Sequence, residues 1–212
     1  MESPDNSFSE ITGILQTNFE RMGISNFNSF QNSVYTGIRN GYDVNVSAPT
    51  GSGKTTRCLA AILHELMLQP LEKVTKLLML YPTQQLVTQT GKLISDMTQN
   101  TGYDLVTLYN TSDIAIFNSR RDALRLGPAI IAGTPDRVLV HLKLGNAVLN
   151  KLKFFVIDEA DRMADAGYQR DIHKITAYLN GEQQNIFLSA TQRQPLKEIA
   201  SLLMNNPAEI HL

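Results

Sequence analysis

Hydrophobic and polar positions change period along this chain. Near the N-terminus Ile11, Ile14, Leu15, Phe19 and Met22 recur at three- and four-residue steps. That spacing predicts a helical segment over 8–40, one face apolar, with Gly23 stopping the pattern. From Asp43 onward short apolar runs at 44–46, 76–81, 105–109, 129–132, 154–157 and 186–188 read as strands. Amphipathic stretches at 55–68, 84–97, 118–126, 136–142, 168–179 and 194–204 read as helices, and 208–212 as a last strand. Strand–helix alternation of this kind predicts an α/β fold, a mostly parallel sheet covered by helices on both faces. Such sheets bind ligands at the C-terminal ends of their strands, so the residues after each run are the first candidates for chemistry.

Composition narrows the classes without naming a function. The 212 residues are 42% hydrophobic and 18% charged, enough for one domain with a sizeable core. A formal net charge of −1 leaves no bulk attraction for nucleic acid, so any such contact must be local. The single cysteine, Cys58, excludes an intrachain disulfide and is expected in the core. His64, His141, His173 and His211 show no metal-ligand spacing. The acidic, polar start is not a signal peptide, and no apolar run approaches a membrane span, which points to an intracellular protein.

The run at 44–46 leads into Ala48-Pro49-Thr50-Gly51-Ser52-Gly53-Lys54-Thr55 and then a helical pattern. Glycines let a backbone curl until its N–H groups face inward on phosphate oxygens, and the helix adds the positive end of its dipole. Lys54 suits the β- and γ-phosphates of a nucleoside triphosphate, and the Thr55 hydroxyl suits Mg²⁺. The run at 154–157 ends in Asp158-Glu159-Ala160-Asp161. Beside a phosphate loop, Asp158 suits the metal, through water, and Glu159 suits the attacking water. Lys54, Asp158 and Glu159 are therefore the candidate catalytic set. Arg120, Arg121 and Arg125 form a small basic cluster that reads chiefly as a solvated helix face.

Asp158-Glu159-Ala160-Asp161, the loop 48–55 and Ser189-Ala190-Thr191, in this order, resemble the signatures of the DEAD-box RNA helicases. The likeness runs from about Phe8 to the end of the chain. It implies the N-terminal RecA-like domain of such an enzyme, with 1–40 as a helical segment carrying an adenine-reading glutamine and 41–212 as the ATP-binding domain. It implies that Gln31 reads adenine, making ATP with Mg²⁺ the ligand. It implies that Ser189 and Thr191 couple the acidic motif to RNA. Pro82-Thr83-Gln84 and Thr134-Pro135-Asp136-Arg137 resemble the motifs that touch the RNA backbone.

The resemblance also implies a second RecA-like domain in the full protein, supplying arginines, and weak or no turnover by this chain alone. The reaction implied is ATP hydrolysis coupled to local duplex unwinding; an ATP-switched RNA clamp with little turnover is the alternative. A DNA helicase or translocase would share the phosphate loop, but not the acidic signature together with Gln31. Several positions depart from the family pattern. Gln84-Gln85 stands where Arg-Glu is usual, Asp136 where Gly is usual, and Tyr109-Asn110-Thr111 where paired glycines are usual. Ile24 replaces an aromatic and Phe27 a proline, and Phe8 lies closer to Gln31 than the upstream aromatic normally does. These changes predict a well-formed ATP site and a weaker grip on RNA, since each lost phosphate contact lowers affinity.

Overall fold

Alternate residues of each central strand enter opposite cores. Leu77 and Met79 belong to one apolar cluster, Leu78 and Leu80 to the other. This is the period-two signature of a strand buried on both faces. A computed structural model of the chain describes residues 11, 13–191, 199–201 and 203–212. Seven strands form one sheet: β1 (Val44–Ser47), β2 (Leu77–Leu80), β3 (Leu105–Leu108), β4 (Ile130–Gly133), β5 (Phe154–Asp158), β6 (Gln184–Ser189) and β7 (Ala208–His211). Their order is β3-β4-β2-β5-β6-β1-β7, and every pairing is parallel.

Helices cover both faces. One face carries α1 (Gly13–Arg21), α2 (Ser29–Arg39), α3 (Lys54–Met67) and α4 (Gln84–Met97). The other carries α5 (Ile114–Arg125), α6 (Pro135–Lys143), α7 (Ala160–Asp165) and α8 (Gln169–Thr176). The strands match the predicted runs to within one or two residues at most ends. Cys58 is fully buried, as expected.

Two helical expectations change, and one short helix is added. The N-terminal helical pattern resolves into α1 and α2, separated by residues 22–28, because Asn28 caps a new helix with its side chain. The helix expected at 118–126 begins at Ile114, where Asp113 accepts hydrogen bonds from the backbone N–H groups of Ala115 and Ile116. A short helix, α7, follows β5 directly; it is too brief to show a period. Phe8 and most of the helix expected at 194–204 lie outside the described residues.

The topology fixes where chemistry can occur. β6 lies between β1 and β5, so the loop after β1 and the acids after β5 flank the C-terminal end of β6. α2 is fastened to α3 by an Arg39 Nε–Glu65 Oε1 ion pair at 2.6 Å and a Tyr35–His64 hydrogen bond. That attachment holds the N-terminal turn of α2 over the loop 48–55.

Candidate nucleotide site

The loop between β1 and α3 has the shape of an anion cradle. Gly51 and Gly53 have φ of 85° and 82°, left-handed values that side chains rarely adopt. Gly53 is the residue before α3, so the first N–H groups of that helix, which have no intrahelical acceptor, open onto the loop. Lys54 is only 3% exposed, although lysine is almost never buried without a partner. Its Nζ lies 3.6 Å from Glu159 Oε1.

The acids after β5 meet this loop. Thr55 Oγ1 donates to Asp158 Oδ2 at 2.6 Å, and Glu159 N donates to Asp158 Oδ1 at 2.8 Å. Glu159 has φ 52°, ψ 46°, an uncommon backbone state for a residue with a side chain. This conformation starts α7 and leaves the carboxylate between Lys54 and Arg162, whose Nε lies 3.6 Å from Oε2. Asp161 Oδ2 accepts from Thr191 Oγ1 at 3.0 Å, tying the acidic motif to the end of β6. Ser189 is fully buried there; its carbonyl accepts from Ala48 N at 3.1 Å. Among the described residues its hydroxyl has no hydrogen-bond partner.

Burial, above all, raises the Asp158 carboxyl to about 6; the Thr55 hydrogen bond opposes the rise, and the Glu159 charge adds to it. A buried carboxylate 2.6 Å from a hydroxyl, held ionised at a cost, fits a divalent cation. The folded value lies above the ordinary one of about 3.9, so this group's contribution to stability falls as pH rises from about 4 to about 6. Asp158→Asn should therefore stabilise the nucleotide- and metal-free chain at pH 7.5 by up to ~3 kcal/mol, the full value of the shift. The gain should shrink at pH 5. Thermal unfolding at the two pH values checks it; a destabilised Asp158→Asn at pH 7.5 contradicts it.

Gln31 lies at the rim of the same loop, 8% exposed. Its Oε1 accepts from Asn28 N at 3.1 Å, its backbone N donates to Asn28 Oδ1 at 2.9 Å, and its Nε2 donates to Ser52 O at 3.4 Å. Sequence reading missed Asn28, although Asn followed three residues later by Gln is a capping-box signature. The structure thus gathers Gln31, the loop 48–55, Asp158, Glu159, Ser189 and Thr191 at one end of the sheet.

The other candidate motifs lie on the same edge, after β2 and β4. Pro82 is buried, and Thr83 caps α4, its Oγ1 accepting from Leu86 N at 3.3 Å. Gln84 and Gln85 are exposed on the first turn of α4. Thr134 is buried, with no partner for its hydroxyl among the described residues, and Pro135 opens α6. Arg137 Nη2 donates to Asn110 Oδ1 at 2.6 Å, and its Nε lies 3.4 Å from Asp136 Oδ2. The cation of this motif is therefore held by two of the residues that depart from the family pattern. The basic cluster on α5 is largely tied up. Arg120 donates to Tyr109 O at 2.9 Å and lies over its ring at 3.9 Å, and Arg121 pairs with Asp122 at 2.9 Å.

Comparison with known proteins agrees with this geometry. The DEAD/DEAH box helicase family model matches residues 28–199. The ATP-dependent RNA helicase DeaD of Buchnera aphidicola is 33% identical over 207 residues, 97% of this chain and 34% of that protein. The Escherichia coli protein of the same name is 35% identical over 176 residues, 82% of this chain and 27% of that protein. A DEAD box protein from Methanococcus jannaschii superposes with a TM-score of 0.86 at 25% identity, covering 97% of this chain and 55% of that one. Saccharomyces cerevisiae Dbp5, at 21% identity and a TM-score of 0.84, shares the fold over 95% of this chain and 52% of its own. The chain spans about a third of the length of the curated relatives it matches.

Proposed function

The chain belongs to the DEAD/DEAH box helicase family, and on that premise we propose that it is the ATP-binding first RecA-like domain of an ATP-dependent RNA helicase. In this reading residues 41–212 hold ATP, and the segment up to residue 40 carries the base-reading Gln31. One observation supports it above the rest. Thr55 and Asp158 meet at 2.6 Å while Lys54 and Glu159 meet at 3.6 Å, so two strands that β6 separates deliver one phosphate and metal site.

Lys54 and the N–H groups of the loop 50–55 bind the phosphates, and Glu159 holds and orients the attacking water and accepts its proton. Thr55 and Asp158 would hold Mg²⁺, which would supply charge neutralisation at the phosphates. The Thr191–Asp161 hydrogen bond carries the state of this site to the end of β6, the strand that closes on the buried Ser189. Pro82, Thr83, Gln84, Thr134, Pro135 and Arg137 face RNA from the same sheet edge. A second RecA-like domain of the longer protein supplies arginines across the cleft, so this chain alone turns over slowly. No described helix is long and apolar enough to cross a membrane.

The Gln31 amide has a fixed sense, because Asn28 N and Ser52 O each engage one end of it. One Oε1 lone pair and one Nε2 hydrogen remain. That pair complements adenine, which offers an N6 donor and an N7 acceptor; guanine offers two acceptors. Gln31→Ala should therefore lower the preference for ADP over GDP by about tenfold, the order expected for one two-point base contact. Competition binding of ADP and GDP checks this, and an unchanged ratio contradicts the base-reading role.

A further inference from the structure

We propose that Arg57 is a second base-recognition residue, its guanidinium lying against the face of the base whose edge Gln31 reads. The inference rests on the nucleotide reading above. Arg57 is the fourth residue of α3, and side chains there lean back toward the helix N-terminus. A methyl placed on Gly53 would meet Gln31 Nε2 at 3.2 Å and Arg57 Nη1 at 3.4 Å. Amide and guanidinium therefore converge on one point at the mouth of the phosphate loop.

The guanidinium carbon lies 5.6 Å from the centroid of the Phe27 ring, and Phe27 is itself buried. Among the described residues no carboxylate pairs with Arg57, and its Nε is buried without a hydrogen-bond partner. Burial also pushes its pKa below the ordinary arginine value. A half-buried cation with unused donors costs stability unless a ligand engages it. Lys54, Glu159 and Asp158 already account for the phosphate and metal side of the loop. Arg57 instead shares its place with the base-reading amide, and a planar guanidinium carried on an aromatic ring presents a flat face suited to stacking.

The chemistry separates the two residues. Gln31 reads a donor–acceptor pattern and so discriminates between bases. A guanidinium stacked on a π-face attracts every base alike. The test is equilibrium binding of ADP, GDP and inorganic tripolyphosphate to this chain, its Arg57→Ala variant and Arg57→Gln, which keeps part of the stem on Phe27 without the charge. Arg57→Ala and Arg57→Gln should each weaken ADP and GDP by the same factor, about tenfold, and leave tripolyphosphate within about twofold of the parent.

ADP affinity unchanged in both variants, with the parent chain binding normally, overturns this inference alone. Loss of tripolyphosphate in step with ADP also overturns it, since Arg57 would then serve phosphate. A parent chain that binds neither ADP nor tripolyphosphate overturns it together with the nucleotide reading.

Discussion

Glu159→Gln should lower RNA-stimulated ATP turnover of the proposed full-length helicase by about 10²–10⁴-fold while leaving ATP bound. The substitution keeps the size of the side chain and removes its ability to accept a proton. The backbone at Glu159, with φ 52°, is set by β5 and α7 rather than by the carboxylate, so the loop should keep its shape. The carboxylate lies between Lys54 Nζ and Arg162 Nε, each at 3.6 Å, a charged setting in which neither contact is a short hydrogen bond. An acid held this way can turn toward a water on the γ-phosphate. Multiple-turnover ATPase rates with RNA, beside ATP affinity, check the expectation. Turnover equal to the parent would remove Glu159 from the reaction.

Lys54→Ala should have the largest effect on binding itself. Lys54 is 3% exposed, and its one ion-pair partner among the described residues is Glu159. In the nucleotide-free chain that pair offsets the burial of two charges at 3.6 Å. A phosphate offers the ammonium a charge-assisted hydrogen bond in the same water-poor place. Truncating one partner of such a buried pair costs about 2–5 kcal/mol, so nucleotide affinity should fall by ~30-fold or more. Thermal unfolding of Lys54→Ala separates this loss from misfolding, since Glu159 is then left beside Asp158 with Arg162 as its ion-pair partner among the described residues.

Much of the fold is legible in the residue pattern, because strands buried on both faces make unbroken apolar runs such as 77–80 and 154–157. The phosphate loop and the acids after β5 are legible for a related reason. Gly51, Gly53, Lys54 and Asp158 are chemical types that the motif cannot exchange. Side-chain partnerships across the fold are less so. The Thr191–Asp161 bond joins residues 30 apart, and Arg137 is held by Asn110 from 27 residues upstream. The role proposed for Arg57 was hidden in the same way. On the helix pattern it is one polar residue among others, and only the folded loop sets it beside Gln31 and Phe27. Asn28 is the opposite case, since its capping box is local and could have been read.

The departures from the family pattern acquire partners in the structure. Asn110 and Asp136 both contact Arg137, so the cation expected to face RNA is already engaged. Gln84 and Gln85, exposed on the first turn of α4, leave that helix end its N–H groups but no cation. The proposed nucleotide site keeps the lysine and both acids of its motifs, and the edge proposed to face RNA carries fewer cations.

In the proposed function this chain holds an adenine nucleotide through the loop 48–55. Calorimetric titration of the purified chain with ADP and Mg²⁺ measures that binding. Saturable one-to-one binding that Lys54→Ala removes is the expected result. Absence of binding by the parent chain, or equal binding by Lys54→Ala, would contradict it.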